Sequence, residues 1–406
     1  MPENKTISLA VTRKYPKIFL KPGREASLLR GHPWIFSGAL ASVEGKPEPG
    51  DIAVAVTHEG VPLALGFYNP VSDISFRLLT TDTTTSIDTL FWQKRIREAI
   101  TLREKVVPEG TTAYRLINAE GDWMPGLIVD RYGDYLVLSI STAGMEQHRH
   151  GILNVLSEEL KPLGVYERSE GRARQLEGLE DRTCSVYGEQ PPEAIEITEN
   201  RLHFKVDIIK GQKTGFFLDQ RPNREIVEQF SSQAEVLNCF SYTGAFSVYA
   251  ARGGATRVVS VDSSETASEI ARYNLQRNSF STERHPVFRD DVFSYLRKTD
   301  ELFDVIILDP PAFAGSKKDI AKAARGYKDI NLYAARHLRE GALLVTFSCS
   351  NYIDETLFQK IVLGAVRDAG KTARLLHTMG PGQDHPTNLA HPEGRYLKGL
   401  LLSLSG

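Results

Sequence analysis

The chain has 406 residues, of which 41% are hydrophobic and 25% charged, and its formal net charge is −2 at pH 7. This length predicts two or three domains, and the composition is typical of a soluble globular protein rather than a disordered or globally basic nucleic-acid-binding one. No apolar run approaches the roughly 20 residues of a membrane span, and the first ten residues lack the apolar core of a signal peptide. We therefore expect a cytoplasmic protein with no membrane partner. Its three cysteines, at positions 184, 239 and 349, are too few for a disulfide framework and lack metal-ligand spacing.

Residues 1–80 predict a small β-barrel. Short alternating runs at 18–20, 52–56, 63–68 and 74–79 are separated by Gly and Pro, as in small barrels. Trp34 and Phe36 lie in a loop-like stretch between these runs, where they would either close the barrel core or stack on nucleobases. The N-terminal arm is basic, which suits contact with an RNA backbone, and it contains Arg13, Lys14, Lys17, Lys21, Arg24 and Arg30.

Residues 81–190 predict a small central α+β domain. Helical periodicity over 86–106 indicates a connecting helix. Strands are then predicted at 115–118, 126–130, 136–140 and 164–167, with a helix through 148–160 before the last of them. This region shows no catalytic constellation.

Residues 191–406 predict a doubly wound α/β domain that opens with a hairpin. A polar, Gly-containing loop over 211–221 follows the hairpin, and seven strands then alternate with helices. The strands are predicted at 236–238, 257–262, 286–289, 305–308, 342–347, 372–376 and 396–403. The last two have no helix between them, so they are expected to pair antiparallel and to give the sheet one reversed edge strand.

Two candidate catalytic residues follow apolar runs in this domain. The run Val305 to Leu308 ends in Asp309 and two prolines, which hold the chain extended beyond the strand. Cys349 follows the run Ala342 to Phe347. Ligands of an open α/β sheet bind at the carboxyl ends of its strands, so the two side chains would face one pocket if the strands are neighbours. The alternative for Cys349 is a buried apolar residue of the core.

The ligand of this sheet is predicted from the turns after its first three strands. The turn that begins at Asn238 has Gly244 but not the three glycines of a dinucleotide fingerprint, which argues against NAD. Asp262, at the end of the second strand, suits a ribose diol, although such residues also cap helices. Asp290 and Asp291 follow the third strand and suit an exocyclic amine. A ribose and an adenine without a pyrophosphate indicate S-adenosylmethionine.

Several of these segments resemble one known family. The motifs that carry the resemblance are Asn238 to Ser247, Asp309 to Phe313, Ser348 to Ser350, Gly211 to Arg221 and His391 to Lys398. In these motifs the chain resembles the bacterial class I methyltransferases of the RlmI type, which act on cytosine C5 in 23S ribosomal RNA. Residues 21–70 are similar to the family's N-terminal PUA domain, an RNA-binding barrel. The resemblance implies a Rossmann-like seven-stranded methyltransferase sheet preceded by a PUA barrel and a small α+β domain.

The resemblance also implies roles for individual residues. Cys349 would add to C6 of the cytosine, so that C5 becomes nucleophilic toward the methyl group, and Asp309 would hydrogen-bond the base. The target base would leave its stack to reach the pocket. The residues implied to bind S-adenosylmethionine are Asn238, Phe240, Thr243 and Gly244, then Asp262, Asp291 and Val292, and finally Asp219, Gln220 and Arg221. No metal is expected, and a homodimer is left open.

Two other functions remain open from the sequence. One is methylation of an exocyclic amine of guanine or adenine in ribosomal RNA, with Asp309 and the Pro310 carbonyl holding the amine and Cys349 uninvolved. The other is a non-catalytic RNA-binding protein that keeps a vestigial sheet. The presence of Asp262, Asp309 and Cys349 together argues against the second.

Overall fold

A computed structural model describes residues 15–406. The chain forms two compact units. The first combines residues 15–195 with the segments 206–216 and 383–394, and the second combines 196–205, 217–382 and 395–406. Within residues 15–406, no helix is both long enough and apolar enough to cross a membrane.

The first unit opens with a six-stranded sheet in residues 17–80, with the strand order β2-β6-β5-β4-β1-β3. Its pairs are antiparallel except β1 with β4, which run parallel. Side chains alternate along β1, so that Ile18 and Leu20 are fully buried while their neighbours are not. The elements are β1 (Lys17–Leu20), α1 (Ala26–Leu29), β2 (Trp34–Phe36), β3 (Leu40–Glu44), β4 (Ile52–Val56), β5 (Pro62–Tyr68) and β6 (Ile74–Thr80).

The stretch around Trp34 is a strand and not a loop. Strand alternation turns Ile35 into the core, where it is 2% exposed, and puts Trp34 and Phe36 on the other face. The prediction that Phe36 closes the core is therefore wrong, since this ring is 49% exposed. Trp34 is half-buried, and its indole N–H donates to Glu120 over 2.8 Å.

A five-stranded sheet with the order β11-β10-β9-β8-β7 completes the first unit. It shares one hydrophobic core with the preceding sheet, in which Val54 and Phe67 pack with Trp92, Leu127 and Leu138. The connecting helix begins where the Asp88 side chain accepts from the Phe91 N–H. The elements are α2 (Thr89–Val106), β7 (Ala113–Asn118), β8 (Leu127–Tyr132), β9 (Tyr135–Ile140), α3 (Ala143–Leu160), β10 (Gly164–Ser169), α4 (Arg172–Leu176) and β11 (Arg182–Gly188).

The second unit contains the predicted doubly wound sheet, preceded by the hairpin β12 (Ile195–Glu199) and β13 (Leu202–Val206). Helices lie between successive strands from β14 to β19, as the alternation of the sequence predicts. The elements are α5 (Arg221–Gln229), β14 (Glu235–Cys239), α6 (Ala245–Arg252), β15 (Arg257–Asp262), α7 (Glu265–Arg277), β16 (Val287–Arg289), α8 (Val292–Lys298), β17 (Phe303–Leu308), α9 (Ile320–Arg336), β18 (Leu338–Ser348), α10 (Glu355–Asp368), β19 (Thr372–Met379) and β20 (Lys398–Ser405).

The strand order of this sheet is β16-β15-β14-β17-β18-β20-β19. Neighbouring strands from β16 to β18 are parallel, and β20 is antiparallel to both β18 and β19. The sequence correctly predicts the antiparallel pair but misplaces the reversed strand at the edge. β20 instead inserts between β18 and β19, where its leucines are covered on both faces, and β19 forms the edge.

Candidate active site

Parallel pairing brings the carboxyl ends of β14 to β18 to one edge of the sheet. Predicted site residues lie at each of these ends or in the turns that follow them, among them Phe240, Asp262, Asp291, Asp309 and Cys349. The strand β17 is a run of fully buried residues from Val305 to Leu308, because helices cover both of its faces. Asp309 is the first residue beyond this run, and it is only half-buried.

Asp309 and Cys349 follow strands that are direct neighbours, since Leu308 of β17 pairs with Thr346 of β18. The Cys349 sulfur lies 3.9 Å from the carbonyl oxygen of Pro310. The next residue is tied to the same loop, because the Ser350 hydroxyl donates to the Ala314 carbonyl over 3.1 Å. The turn after β17 and the turn after β18 therefore form one small structure around the thiol.

Tyr327, on α9, contacts Ser348, the residue before Cys349. The Ser348 hydroxyl donates to its phenol oxygen over 3.0 Å, and the ring is fully buried. Burial raises the pKa of Tyr327 to about 12, and the negative charges of Cys349 and Asp309 add to the increase. Tyr327 therefore stays protonated at neutral pH.

The three cysteines lie in different environments. Cys239 is fully buried in β14, and burial strongly raises the pKa of its thiol, so it is a packing residue. Cys184 is half-buried in β11 of the first unit. Cys349 is half-buried at the end of β18, beyond the apolar part of the strand. All three lie within the described residues, and none of them forms a disulfide bond.

The turn between β14 and α6 has an unusual backbone. Phe240, Tyr242 and Gly244 have φ values of +57°, +46° and +77°, which is left-handed geometry that non-glycine residues rarely adopt. At Gly244 a Cβ atom would lie 2.9 Å from the Cβ of Ala271, so a side chain has no room there. Such strain persists where the surrounding structure imposes it, and it is common in ligand-binding turns.

Two buried polar atoms at this turn have no hydrogen-bond partner within residues 15–406. They are the Asn238 side-chain oxygen and the Ser241 hydroxyl. The Asn238 amide group donates to Ser247 over 2.9 Å, which fixes its orientation. Unpaired buried polar atoms are costly in a folded protein, so these atoms fit a turn that binds a polar ligand such as S-adenosylmethionine.

Asp262 helps to hold the same turn in place. One of its carboxylate oxygens accepts from the Tyr242 N–H over 2.8 Å, and the other accepts from the Ser264 N–H over 2.9 Å. Thr243 is buried, and its carbonyl oxygen accepts from the Asn274 side chain over 2.9 Å. Each carboxylate oxygen of Asp262 has a second lone pair available for a ribose hydroxyl.

Asp291 and Val292 begin α8. Asp291 is exposed and caps the helix by accepting from the Ser294 N–H over 2.8 Å, while Val292 is buried. The rings of Phe240 and Phe293 meet edge to face at 6.3 Å between centroids, which joins this turn to the one after β14. Capping is thus an observed role of Asp291, beside the adenine contact that the sequence predicts.

Asp219 and Gln220 lie in the short 3-10 turn Leu218–Gln220, and Arg221 begins α5 immediately after it. All three are buried; the Tyr396 hydroxyl donates to Asp219 over 2.5 Å, and the Asn223 side chain donates to Gln220 over 2.6 Å. The preceding ring, Phe217, meets that of Tyr242 at 5.3 Å. The turn therefore lies beside the β14–α6 turn, on the side of Tyr242.

Comparison with known proteins agrees with this geometry. Residues 137–356 match the family model of S-adenosylmethionine-dependent methyltransferases, and residues 18–81 match a PUA-like domain. The chain is 45% identical over 389 residues to ribosomal RNA large subunit methyltransferase I of Aeromonas salmonicida (strain A449), with 95% of this chain and 98% of the relative covered. The chain belongs to this family.

The same family name belongs to a relative from Tolumonas auensis, which is 45% identical over 390 residues and covers 95% of this chain and 98% of its own. A solved structure from Streptococcus mutans, described as a candidate SAM-dependent methyltransferase, superposes with a TM-score of 0.82 at 25% identity and covers 95% of this chain and 99% of its own. The predicted family, the α/β methyltransferase fold with an N-terminal PUA-like domain, and S-adenosylmethionine as cofactor are therefore confirmed.

Sequence reasoning missed two residues that hydrogen-bond the neighbours of Cys349, namely Tyr327 and Lys398. Tyr327 gives no signal, since it is one aromatic residue of an amphipathic helix. Lys398 was noted only as part of a family motif, although a lysine that opens an otherwise apolar strand is an unusual feature. Within residues 15–406, no group of three or more His, Cys, Asp or Glu is arranged to hold a metal ion.

Proposed function

We propose that this methyltransferase transfers a methyl group from S-adenosylmethionine to C5 of a cytosine in large-subunit ribosomal RNA, through a covalent bond between Cys349 and C6 of the base. The observation that carries the proposal is the position of the Cys349 sulfur, 3.9 Å from the Pro310 carbonyl and directly beyond the sheet. A core cysteine would be fully enclosed, as Cys239 is, whereas Cys349 is half-buried and follows the strand that pairs with the one before Asp309. The named relatives methylate ribosomal RNA, which supplies the substrate class.

Cys349 would activate the base by addition. Its thiolate forms the S–C6 bond, and the electrons of the C5=C6 double bond move onto C5 and the ring. Asp309 would accept a hydrogen bond from the cytosine amino group or, when protonated, donate one to N3, and so would stabilise the charge that addition produces. After methylation, the C5 proton passes to solvent, the double bond re-forms, and the S–C6 bond breaks with its electron pair leaving on sulfur.

The cofactor would bind along the turns that begin at β14, β15 and β16. Phe240, Thr243 and Gly244 would surround its methionine portion, together with the turn of Asp219 to Arg221. Asp262 would accept from the ribose hydroxyls, and Asp291 and Val292 would contact adenine. When bound, S-adenosylmethionine supplies the electrophilic methyl group that the activated C5 accepts. The unpaired oxygen atoms of Asn238 and Ser241 support this placement.

The RNA would present its target base flipped out of the stack, because the pocket lies at the edge of a sheet that a stacked base cannot reach. We expect the basic N-terminal arm to contact the RNA backbone. Arg13 and Lys14 of this arm lie outside the described residues. Lys21 lies within them, and its ammonium group donates to the Gly38 carbonyl over 2.8 Å, so it is tied to its own sheet. A homodimer remains open.

One observation favours a second candidate, methylation of an exocyclic amine of guanine or adenine. Asp309 is followed by the Pro310 carbonyl, and a carboxylate beside a carbonyl is a suitable acceptor pair for an amino group. In that reaction Cys349 has no chemical role. The two candidates therefore differ in the modified nucleoside and in their dependence on the thiol.

The test is methyl transfer from labelled S-adenosylmethionine to unmodified ribosomal RNA, with nucleoside analysis of the product. The proteins compared are the wild type, Cys349→Ala and, as a matched control, Cys184→Ala, which removes a half-buried thiol of the first unit. We expect 5-methylcytidine from the wild type and the control, and a loss of at least about 10³-fold in Cys349→Ala. Label in a purine, or undiminished transfer by Cys349→Ala, would contradict the proposal.

A further inference from the structure

Lys398 lies next to the candidate nucleophile because of the register of one strand pair. β20 runs antiparallel to β18, and Lys398 pairs with Ser348, the residue before Cys349. The Lys398 ammonium group donates to the carbonyl oxygen of Ser350, the residue after Cys349, over 2.7 Å. The backbone of Lys398 thus pairs with one residue that flanks Cys349, and its side chain contacts the other.

The environment of Lys398 is unusual for a lysine. The residue is only 9% exposed, and within residues 15–406 no carboxylate lies within ion-pair distance of its amino group. Burying an ammonium group without a paired anion is costly, so a lysine in such a position calls for an explanation. Replacing it by an apolar residue would pack the strand at lower cost, as the leucines that follow in β20 do.

Several charged groups lie around Lys398 and Cys349. Cys349, Asp354 and Glu355 act on Lys398 electrostatically, while Asp309 and Tyr327 lie on the other elements around Cys349. Asp354 is occupied as the cap of α10, where it accepts from the Leu357 N–H. Burial lowers the pKa of the Lys398 ammonium group from its ordinary value, and the neighbouring thiol and carboxylates oppose the shift. Lys398 is therefore a buried cation that interacts electrostatically with the thiol.

We propose that the positive charge of Lys398 stabilises the thiolate of Cys349. The S–H bond breaks, the proton passes to solvent, and the sulfur keeps the electron pair with which it attacks C6. When the S–C6 bond later breaks, the thiolate leaves toward the same ammonium ion. This inference rests on the proposed function, in which Cys349 is the nucleophile.

The test measures the thiol directly and needs neither RNA nor S-adenosylmethionine. The rate of Cys349 alkylation by iodoacetamide is followed by peptide mass spectrometry from about pH 5.5 to 9.5, in the wild type, Lys398→Met and Lys398→Arg. We expect the wild-type midpoint to lie at least about one pH unit below the 8.5 of a free cysteine. Lys398→Met should shift the midpoint upward and lower the rate at pH 7 about tenfold. Lys398→Arg keeps the charge and should keep a low midpoint.

Two cysteines in the same sample serve as controls. Cys184 is half-buried and lies in the other unit, so its profile should be identical in all three proteins. Cys239 is fully buried in the sheet, so its alkylation would show that a variant is misfolded. If Lys398→Met misfolds, the wild-type profile alone still tests the proposal, because a Cys349 midpoint at or above about pH 8.5 overturns it.

The outcomes separate this inference from the function on which it rests. Coincident profiles of wild type and a folded Lys398→Met would overturn the role of Lys398, even if nucleoside analysis shows 5-methylcytidine that depends on Cys349. A Lys398-dependent profile together with labelled purine would overturn the proposed function and, with it, any catalytic use of the ionised thiol. A Lys398-dependent profile together with Cys349-dependent 5-methylcytidine supports both.

Discussion

Asp309 has both a structural position in the turn after β17 and a proposed chemical role. It is the first residue after a fully buried strand and the residue before a proline, so its backbone is constrained whatever its side chain does. Its carboxylate is half-buried. A substitution that keeps the shape of the side chain and removes its charge therefore tests the proposed chemical role while the backbone stays the same.

Asp309→Asn should lower kcat/KM for methyl transfer by about 10²- to 10⁴-fold, because an amide neither carries the charge nor exchanges the proton of a carboxyl group. The affinity for S-adenosylmethionine should stay within about twofold, since the cofactor turns follow other strands. Steady-state kinetics and calorimetry measure the two quantities. Asp304→Asn is the matched control: this residue lies on the same strand, where it accepts from the Glu235 N–H and from Arg339, and its replacement should leave kcat/KM nearly unchanged. Equal losses in both variants would contradict the role of Asp309.

Asp262 and Asp291 have an observed structural role beside the proposed one in cofactor binding. The sequence predicts both as cofactor ligands, and the structure shows both accepting backbone N–H groups of the segments that follow. Capping places a carboxylate at a helix N-terminus and holds it there without using all of its lone pairs. The structural role is therefore compatible with the proposed role as a cofactor ligand.

Among the elements, the turn between β14 and α6 is the most constrained. Three of its residues adopt left-handed geometry, and its glycine packs against α7 with no room for a side chain. The turn cannot move without loss of the hydrogen bond from the Tyr242 N–H to Asp262. Its shape should therefore decide how tightly the cofactor binds.

Gly244→Ala should weaken S-adenosylmethionine binding at least about tenfold and destabilise the protein by about 1–3 kcal/mol, because the new Cβ would lie 2.9 Å from that of Ala271. Calorimetric titration and thermal unfolding measure the two effects. Gly254→Ala is the control, since its φ of +88° imposes similar strain while the nearest atom to a new Cβ lies 3.8 Å away. We expect the control to lose stability and to keep its affinity for the cofactor. Unchanged affinity in Gly244→Ala would show that this turn does not bind the cofactor.

The strand β20 illustrates what a sequence pattern leaves undetermined. Its apolar residues and the missing helix before it predict an antiparallel strand, and this is correct. Its place between β18 and β19 depends on pairing with a strand about 50 residues away, which no local pattern encodes. That pairing is what puts Lys398 opposite Ser348, so the relation of Lys398 to the thiol could not be predicted from the sequence.

For the whole molecule, long buried runs and their order were predictable, because parallel strands and helices have distinct periodicities. The strands that escaped prediction are short or poorly buried: β2 has three residues, and β3 and β11 are largely exposed. The sequence also predicts Asp262, Asp309 and Cys349 at strand ends, because each lies at or just after the end of an apolar run that predicts a strand. The predicted division at residues 80 and 190 remains a prediction.

Within the first unit, packing continues across residue 80. The sheet of β1 to β6 shares its hydrophobic core with the α+β region, and polar contacts reinforce the junction. Glu177 is 3% exposed and accepts hydrogen bonds from Asn69 and Arg77 of the preceding sheet, over 2.8 and 2.9 Å. The sequence pattern of one segment predicts an apolar face but does not show which other segment that face packs against. The sequence therefore could not predict this common core.

The covalent bond between Cys349 and the base is the central claim, and an RNA in which 5-fluorocytidine replaces cytidine tests it most directly. Fluorine at C5 cannot leave as a proton does, so the S–C6 bond should persist after methyl transfer. With S-adenosylmethionine present, the wild type should form a denaturation-resistant protein–RNA complex, and peptide mass spectrometry after nuclease digestion should locate the nucleotide on Cys349. Cys349→Ala should form none, and Cys184→Ala should match the wild type. An adduct on another residue, or no adduct from an enzyme that makes 5-methylcytidine in ordinary RNA, would contradict the account.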